Sequence, residues 1–100
     1  MDAKEIKAVF DRVFNGKPNP IFCYPVLYFE HNGYLCEVAE ARKPSSLKWS
    51  DVKSPLDIFE GLLVDDGAWV TVLTKDGQRT MLGGHIETIA ELEQFKQRIS

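Results

Sequence analysis

Residues 68–84 read AWVTVLTKDGQRTMLGG, and this stretch decides the fold prediction. β-branched and aromatic residues lie on both sides of Asp76-Gly77, and such a dipeptide between two such runs is the strongest short-range signal for a β-hairpin. A two-stranded hairpin is marginally stable alone, so the rest of the chain must cover it. Both faces of the hairpin are apolar, which predicts a place in the middle of a sheet. The expected pairs are Leu73 with Thr80 and Thr71 with Leu82.

A second hairpin is predicted upstream. Strands over Ile21–His31 and Tyr34–Arg42 flank Asn32-Gly33, another type I′ turn signal. This register places Phe29 opposite Cys36 and Cys23 opposite Arg42. The two cysteines would therefore lie too far apart to form a disulfide.

Three helices are predicted around the hairpins. The first covers residues 3–14, where apolar residues follow a helical stripe and Asn15-Gly16 ends it. The second begins at Pro55 with Ser54 as its N-cap, although Leu62–Asp65 also fits a short strand that turns at Asp66-Gly67. The third covers residues 89–99 and opens with the capping box of Thr88 and Glu91. Its expected inward stripe is Ile89, Leu92, Phe95 and Ile99.

The resulting order is α-β-β-α-β-β-α, which predicts an α+β fold with an antiparallel sheet of two hairpins packed against helices. One hundred residues correspond to one domain, residues 1–100. The N-terminal MDAKEIK is charged and lacks the apolar core of a signal peptide, and the longest apolar run, Ile21–Phe29, is too short to cross a bilayer. We therefore expect a cytoplasmic protein without a membrane segment.

No catalytic or metal-binding constellation is expected. Cys23, Cys36, His31 and His85 are the soft ligand types present, and they lack the paired spacing of a zinc site. A buried mid-strand position raises the pKa of a thiol, as expected for Cys36, and both Cys23 and Cys36 are expected to be small core residues rather than nucleophiles. We expect neither a metal nor another cofactor.

The connector at residues 42–55 is the most basic segment of the chain. Basic residues around an aromatic side chain can grip single-stranded nucleic acid, and Trp49 lies among four of them. The formal net charge of −3 argues against such a partner. We expect a solvated loop with Trp49 folded onto the core. The four basic residues are Arg42, Lys43, Lys48 and Lys53.

The apolar character of both faces of the first hairpin is the main functional signal. Small antiparallel sheets usually present one polar face to water. Here tyrosines lie among small and branched residues with glutamates at the border, which is typical of the core of a protein interface. The alternative is that a helix covers this face. The predicted partner-binding residues are Tyr24, Val26, Tyr28, Glu30, Leu35 and Glu37.

These observations predict a small non-enzymatic protein-binding module of the inhibitor, immunity or adaptor type. Its partner would be another protein or a second copy in a homodimer. The alternative function is a small-ligand or anion-binding domain, or a modest enzyme, at the strand–helix junction of Gly83, Gly84 and His85. Free backbone N–H groups at such a junction can bind anions, and Glu87 could supply an acid.

Overall fold

A computed structural model describes residues 3–74 and 79–99. It confirms the α+β class: an antiparallel sheet carries helices on both faces. The strand order is β1-β2-β3-β4-β5. The helices are α1 (Ala3–Phe14), α2 (Pro55–Asp65) and α3 (Ile89–Arg98), and the strands are β1 (Ile21–Cys23), β2 (Val26–His31), β3 (Tyr34–Val38), β4 (Ala68–Thr74) and β5 (Arg79–Ile86).

Helix α1 follows its prediction because its apolar stripe has a core to cover. Ile6 and Val13 are buried against the sheet residues Tyr28, Leu35 and Leu73. The chain leaves the helix at Asn15 and Gly16, and Gly16 takes a φ of +73°, the left-handed value that glycine tolerates best. Helix α1 therefore covers the part of this face around Tyr28, Leu35 and Leu73.

The first predicted strand is divided in two. The chain turns at Tyr24-Pro25, so that Cys23 pairs with Val26 in β2. The prediction that Cys23 lies opposite Arg42 is wrong for this reason. The register at Asn32-Gly33 is confirmed, with Phe29 opposite Cys36. The second strand is predicted to reach Arg42 but ends at Val38.

The connector contains a short 3-10 helix, Trp49–Asp51, and then leads into α2. The Asp57 carboxylate accepts hydrogen bonds from the N–H groups of Lys53 (2.8 Å) and Ser54 (3.0 Å), which satisfies donors at the start of α2. The helix continues to Asp65, so the alternative strand at Leu62–Asp65 is wrong.

The last hairpin differs from its prediction in register and in position. Leu73 pairs with Arg79 and Thr71 with Gly83, with an irregularity between them. At this irregularity the Thr80 hydroxyl donates to the Val72 carbonyl (2.8 Å) and accepts from the Leu82 N–H (3.1 Å). The predicted turn at Asp76-Gly77 lies outside the described residues. Strand β4 is interior, whereas β5 is an edge strand, which corrects the expectation that the whole hairpin lies mid-sheet.

Helices α2 and α3 close the other face of the sheet. Phe59 of α2 and Phe95 of α3 belong to one buried cluster with the strand residues Phe29, Cys36 and Val72. The Thr88 hydroxyl accepts from the Glu91 N–H (3.1 Å), as the predicted N-cap requires. Ile89 is about half exposed, so the expected inward stripe of α3 begins at Leu92 instead.

Candidate protein-binding surface

The centre of the predicted tyrosine face lies beneath α1. Tyr28 is 6% exposed and Leu35 is fully buried. Val26 packs at the border of the same cluster. Burial, and to a smaller extent the nearby Glu37 carboxylate, raises the pKa of Tyr28. Tyr28 and Leu35 therefore belong to the core between α1 and the sheet, and a partner could reach them only if α1 moved.

The border of that face carries Tyr24 and Glu30. Tyr24 is 69% exposed at the turn between β1 and β2, and its ring meets Phe22 edge-on at 6.0 Å. The Glu30 carboxylate accepts from the Gly33 N–H (2.8 Å), which supports the β2–β3 turn. The backbone of Glu30 is also held, because its N–H donates to Oδ1 of Asn19 and its carbonyl accepts from Nδ2 of Asn19. Tyr24 is thus the most accessible residue of the predicted set.

Gly83 and Gly84 do not lie at the strand–helix junction. Both are inside β5, opposite Thr71 and Val70. Gly83 has a φ of +156°, and a Cβ there would lie 2.8 Å from the Val70 carbonyl oxygen, so the position requires glycine. Gly83 lets β5 pass close to β4, whereas Gly84 is favoured by its φ of +154° and meets no close neighbour.

The start of α3 already has protein acceptors for its donors. Besides the bond from the Glu91 N–H to Thr88, the Glu87 N–H donates to Oε2 of Glu91 (3.1 Å). A bound anion would have to compete with a hydroxyl and a carboxylate for these groups. The Glu91 charge also opposes an anion at this end.

The predicted site residue His85 holds β5 against the turn before β4. Its Nε2 lies 3.1 Å from the Asp66 carbonyl oxygen, and because a carbonyl only accepts, this nitrogen carries the hydrogen. Its Nδ1 lies 3.6 Å from Oε1 of Glu87. A Cβ on Gly67 would be 2.7 Å from the imidazole ring, so Gly67 makes room for this contact. An oxygen atom lies beside each ring nitrogen, so this position favours a cation or a hydrogen-bond donor over an anion.

Large apolar side chains are exposed on the hairpin of β4 and β5. Trp69 is 70% exposed, with its ring centroid 5.4 Å from that of His85. Met81 is fully exposed, and Leu82 is more than one third exposed. We call these three residues, together with the outer edge of β5, the edge patch. Exposed aromatic and methionine side chains on one element are characteristic of protein interfaces.

The two edges of the sheet differ in their protection. Strand β1 has three residues and is flanked by Pro20 and Pro25, and short strands and prolines are common ways to block an edge. Strand β5 has eight residues, and from Thr80 to Ile86 it contains no Lys, Arg, Asp, Glu or Pro. Among residues 3–74 and 79–99, its strand partner is β4. The β5 edge is therefore the accessible one for another strand.

A groove of about 570 Å³ runs beside β5 along α3. Its β5 side is formed by His85 and Ile86. Its α3 side is polar, with an acid near the start of the helix, two amides in the middle and a guanidinium at the end. These four residues are Glu91, Gln94, Gln97 and Arg98.

The connector presents a second, smaller exposed aromatic. Trp49 is 66% exposed, and the ammonium group of Lys43 lies 5.5 Å from the centre of its ring. The expectation that Trp49 folds onto the core is therefore wrong. Hydrogen bonds from Ser46 and Ser45 to the Asp65 carboxylate fasten the connector to α2 and lower the pKa of Asp65.

Both cysteines are free. Cys36 is buried in the cluster beneath α2 and α3, whereas Cys23 is exposed at the turn, so the expectation that Cys23 is a core residue is wrong. Burial, followed by the influence of Glu30, raises the pKa of Cys36 to about 12, so its thiolate is scarce at neutral pH. Among the described residues, no three His, Cys, Asp or Glu side chains gather as metal ligands would.

Comparison of the chain with protein-family models, curated proteins and solved structures gives no match. Within residues 3–74 and 79–99, none of the helices has both the length and the apolar character that a membrane span needs. The edge patch and its surroundings are therefore the candidate binding surface.

Proposed function

We propose that this protein is a small non-enzymatic protein-binding module and that it binds its partner through the edge patch. The observation that carries the proposal is the eight-residue β5 edge, uncharged from Thr80 to Ile86, beside exposed Trp69 and Met81. Proteins usually protect such an edge with charges or prolines. An unprotected edge beside exposed apolar side chains favours a binding role.

The physical basis is the addition of a strand. A partner segment in extended conformation binds the outward N–H and C=O groups of an edge strand, and its alternate side chains contact pockets on the two faces of the sheet. On one face, Trp69 and His85 offer an aromatic contact. On the other, the groove along α3 offers a polar one.

The proposal keeps the class of function expected from the sequence and moves its location. The first hairpin contributes little accessible surface at its centre, because Tyr28 and Leu35 are core residues. Inhibitors, immunity proteins and adaptors include small domains that act by binding alone, and this chain resembles them in its length only.

The test compares two aspartate substitutions at exposed apolar residues. Met81→Asp places a charge in the edge patch, whereas Val64→Asp places the same charge on α2, where Val64 is 77% exposed. Immobilised wild-type protein and both variants are exposed to a native lysate and, separately, to the untagged protein itself. We expect binding that Val64→Asp retains and Met81→Asp loses. Equal binding by all three, or none by any, would contradict the proposal.

A further inference from the structure

Resting on the proposed function, we infer that the partner at the edge patch is a second copy of this chain, joined antiparallel through β5 about a two-fold axis. The two sheets would continue into one another across the β5 seam. Each copy would use the same residues, as a two-fold interface requires. The inference comes from the charge pattern of α3 beside the β5 edge.

The α3 side of the groove is complementary to itself when reversed. Glu91 lies at one end and Arg98 at the other, and Gln94 and Gln97 lie between them. These positions recur at helical spacing, so they share one side of α3. In an antiparallel arrangement, Glu91 faces Arg98 of the second copy, and the amides of Gln94 and Gln97 lie near the two-fold axis.

Symmetry makes this match occur twice. Each Glu91 meets an opposite charge, and the amides in the middle can donate and accept hydrogen bonds with each other. A segment of a foreign protein would need a basic side chain opposite Glu91 and an acidic one opposite Arg98. A second copy supplies that pattern without further conditions.

The β5 edge allows the same geometry. Eight residues span about 27 Å at 3.4 Å per residue, longer than an average strand. Gly83 is already explained by the close approach of β4, whereas a Cβ on Gly84 would meet no heavy atom within 4 Å, so the middle of the edge has open space. A specific interface needs about 800 Å² from each partner, so the seam requires the contacts of α3 and Met81 as well.

The test is the mass of the purified full chain in solution, measured by light scattering over a range of concentrations. We expect twice the chain mass of 11.4 kDa. Arg98→Glu places two carboxylates opposite each other and should raise the dissociation constant at least about tenfold. The double variant Glu91→Arg with Arg98→Glu restores opposite charges across the axis and should recover the dimer. Glu93→Arg, which changes an exposed charge that does not line the groove, is the control.

Because Glu91 also accepts from the Glu87 N–H, the double variant could lose its fold, and circular dichroism shows whether it does. In that case Met81→Asp, at a fully exposed side chain, replaces it as the second disruption and should also give a monomer. A monomer at chain concentrations up to about 1 mM overturns the inference. So does a dimer that Arg98→Glu and Met81→Asp leave unchanged.

The inference and the proposed function can fail separately. A monomer whose edge patch still captures a foreign protein, with loss of capture in Met81→Asp, overturns the inference and supports the proposed function. A monomer without capture contradicts both.

Discussion

Tyr28 and Tyr24 offer a matched pair of substitutions that separates core from surface on the first hairpin. Both are tyrosines within five residues, but Tyr28 is 6% exposed beneath α1 and Tyr24 is 69% exposed. Truncating a buried aromatic residue to alanine costs about 3 to 5 kcal/mol of unfolding free energy. A domain of this length has roughly 5 to 15 kcal/mol in total, so Tyr28→Ala should remove a large fraction of it.

Tyr24→Ala should cost far less. It removes an edge-on ring contact with Phe22, and such contacts are worth about 0.5 to 1.5 kcal/mol. Urea denaturation followed by circular dichroism measures both variants against the wild type. If Tyr28→Ala loses less than about 1 kcal/mol, or no more than Tyr24→Ala, then α1 does not cover this face and the reasoning is refuted.

Three further predictions concern packing, thiol reactivity and pH. Gly61→Ala would normally stabilise a helix by about 1 kcal/mol, but a Cβ there would lie 2.8 Å from Leu47 of the connector. We therefore expect urea denaturation to show a net loss of stability, which Leu47→Ala partly relieves. A gain of about 1 kcal/mol would contradict the contact. Cys23 should react with a thiol reagent in the folded protein while Cys36 reacts only on unfolding, and two fast thiols would be inconsistent with the burial of Cys36. The pKa of Asp65 is lowered from 3.8 in the folded state, so the carboxylate stabilises the fold above that pH, and this contribution is lost as the pH falls through the folded value. Asp65→Asn should therefore flatten the acid side of a plot of unfolding free energy against pH. An unchanged plot would argue against the hydrogen bonds of Asp65.

The parts of the fold that depend on local chemistry could be predicted from the sequence. The stripe and stop of α1, the Thr88 cap of α3 and the turn at Asn32-Gly33 are each determined by residues a few positions apart. The break at Tyr24-Pro25 was missed because the β-strand pattern continues across it, and Pro25 is compatible with an edge strand as well as with a turn.

The parts that depend on distant residues could not be predicted in the same way. The register of the last hairpin shifts between Thr71 and Leu73, where the Thr80 hydroxyl bonds to the Val72 carbonyl across the ladder, and no local signal distinguishes that arrangement from a regular pair. The apolar residues of β5 indicated burial, although the strand lies at an edge. An apolar face looks the same in sequence whether a helix covers it or a partner does.

The candidate site shows the same limit. Tyr28 was selected by composition, and composition could not reveal that α1 packs over it. The sequence pattern places Met81 and Trp69 in an interior hairpin and gives no sign that both side chains are exposed. The sequence feature that indicates this surface is the uncharged run from Thr80 to Ile86, which contains two consecutive glycines.

Amide hydrogen exchange of β5 tests most directly the claim that this edge is where the protein binds another chain. The protein is measured alone at low concentration and again when assembled, whether with a second copy at high concentration or with a captured partner. We predict that the outward amides of Thr80–Ile86 exchange more slowly in the assembled form, while the amides of α1 keep their rates. Equal exchange rates at β5 in the free and assembled forms would contradict the claim.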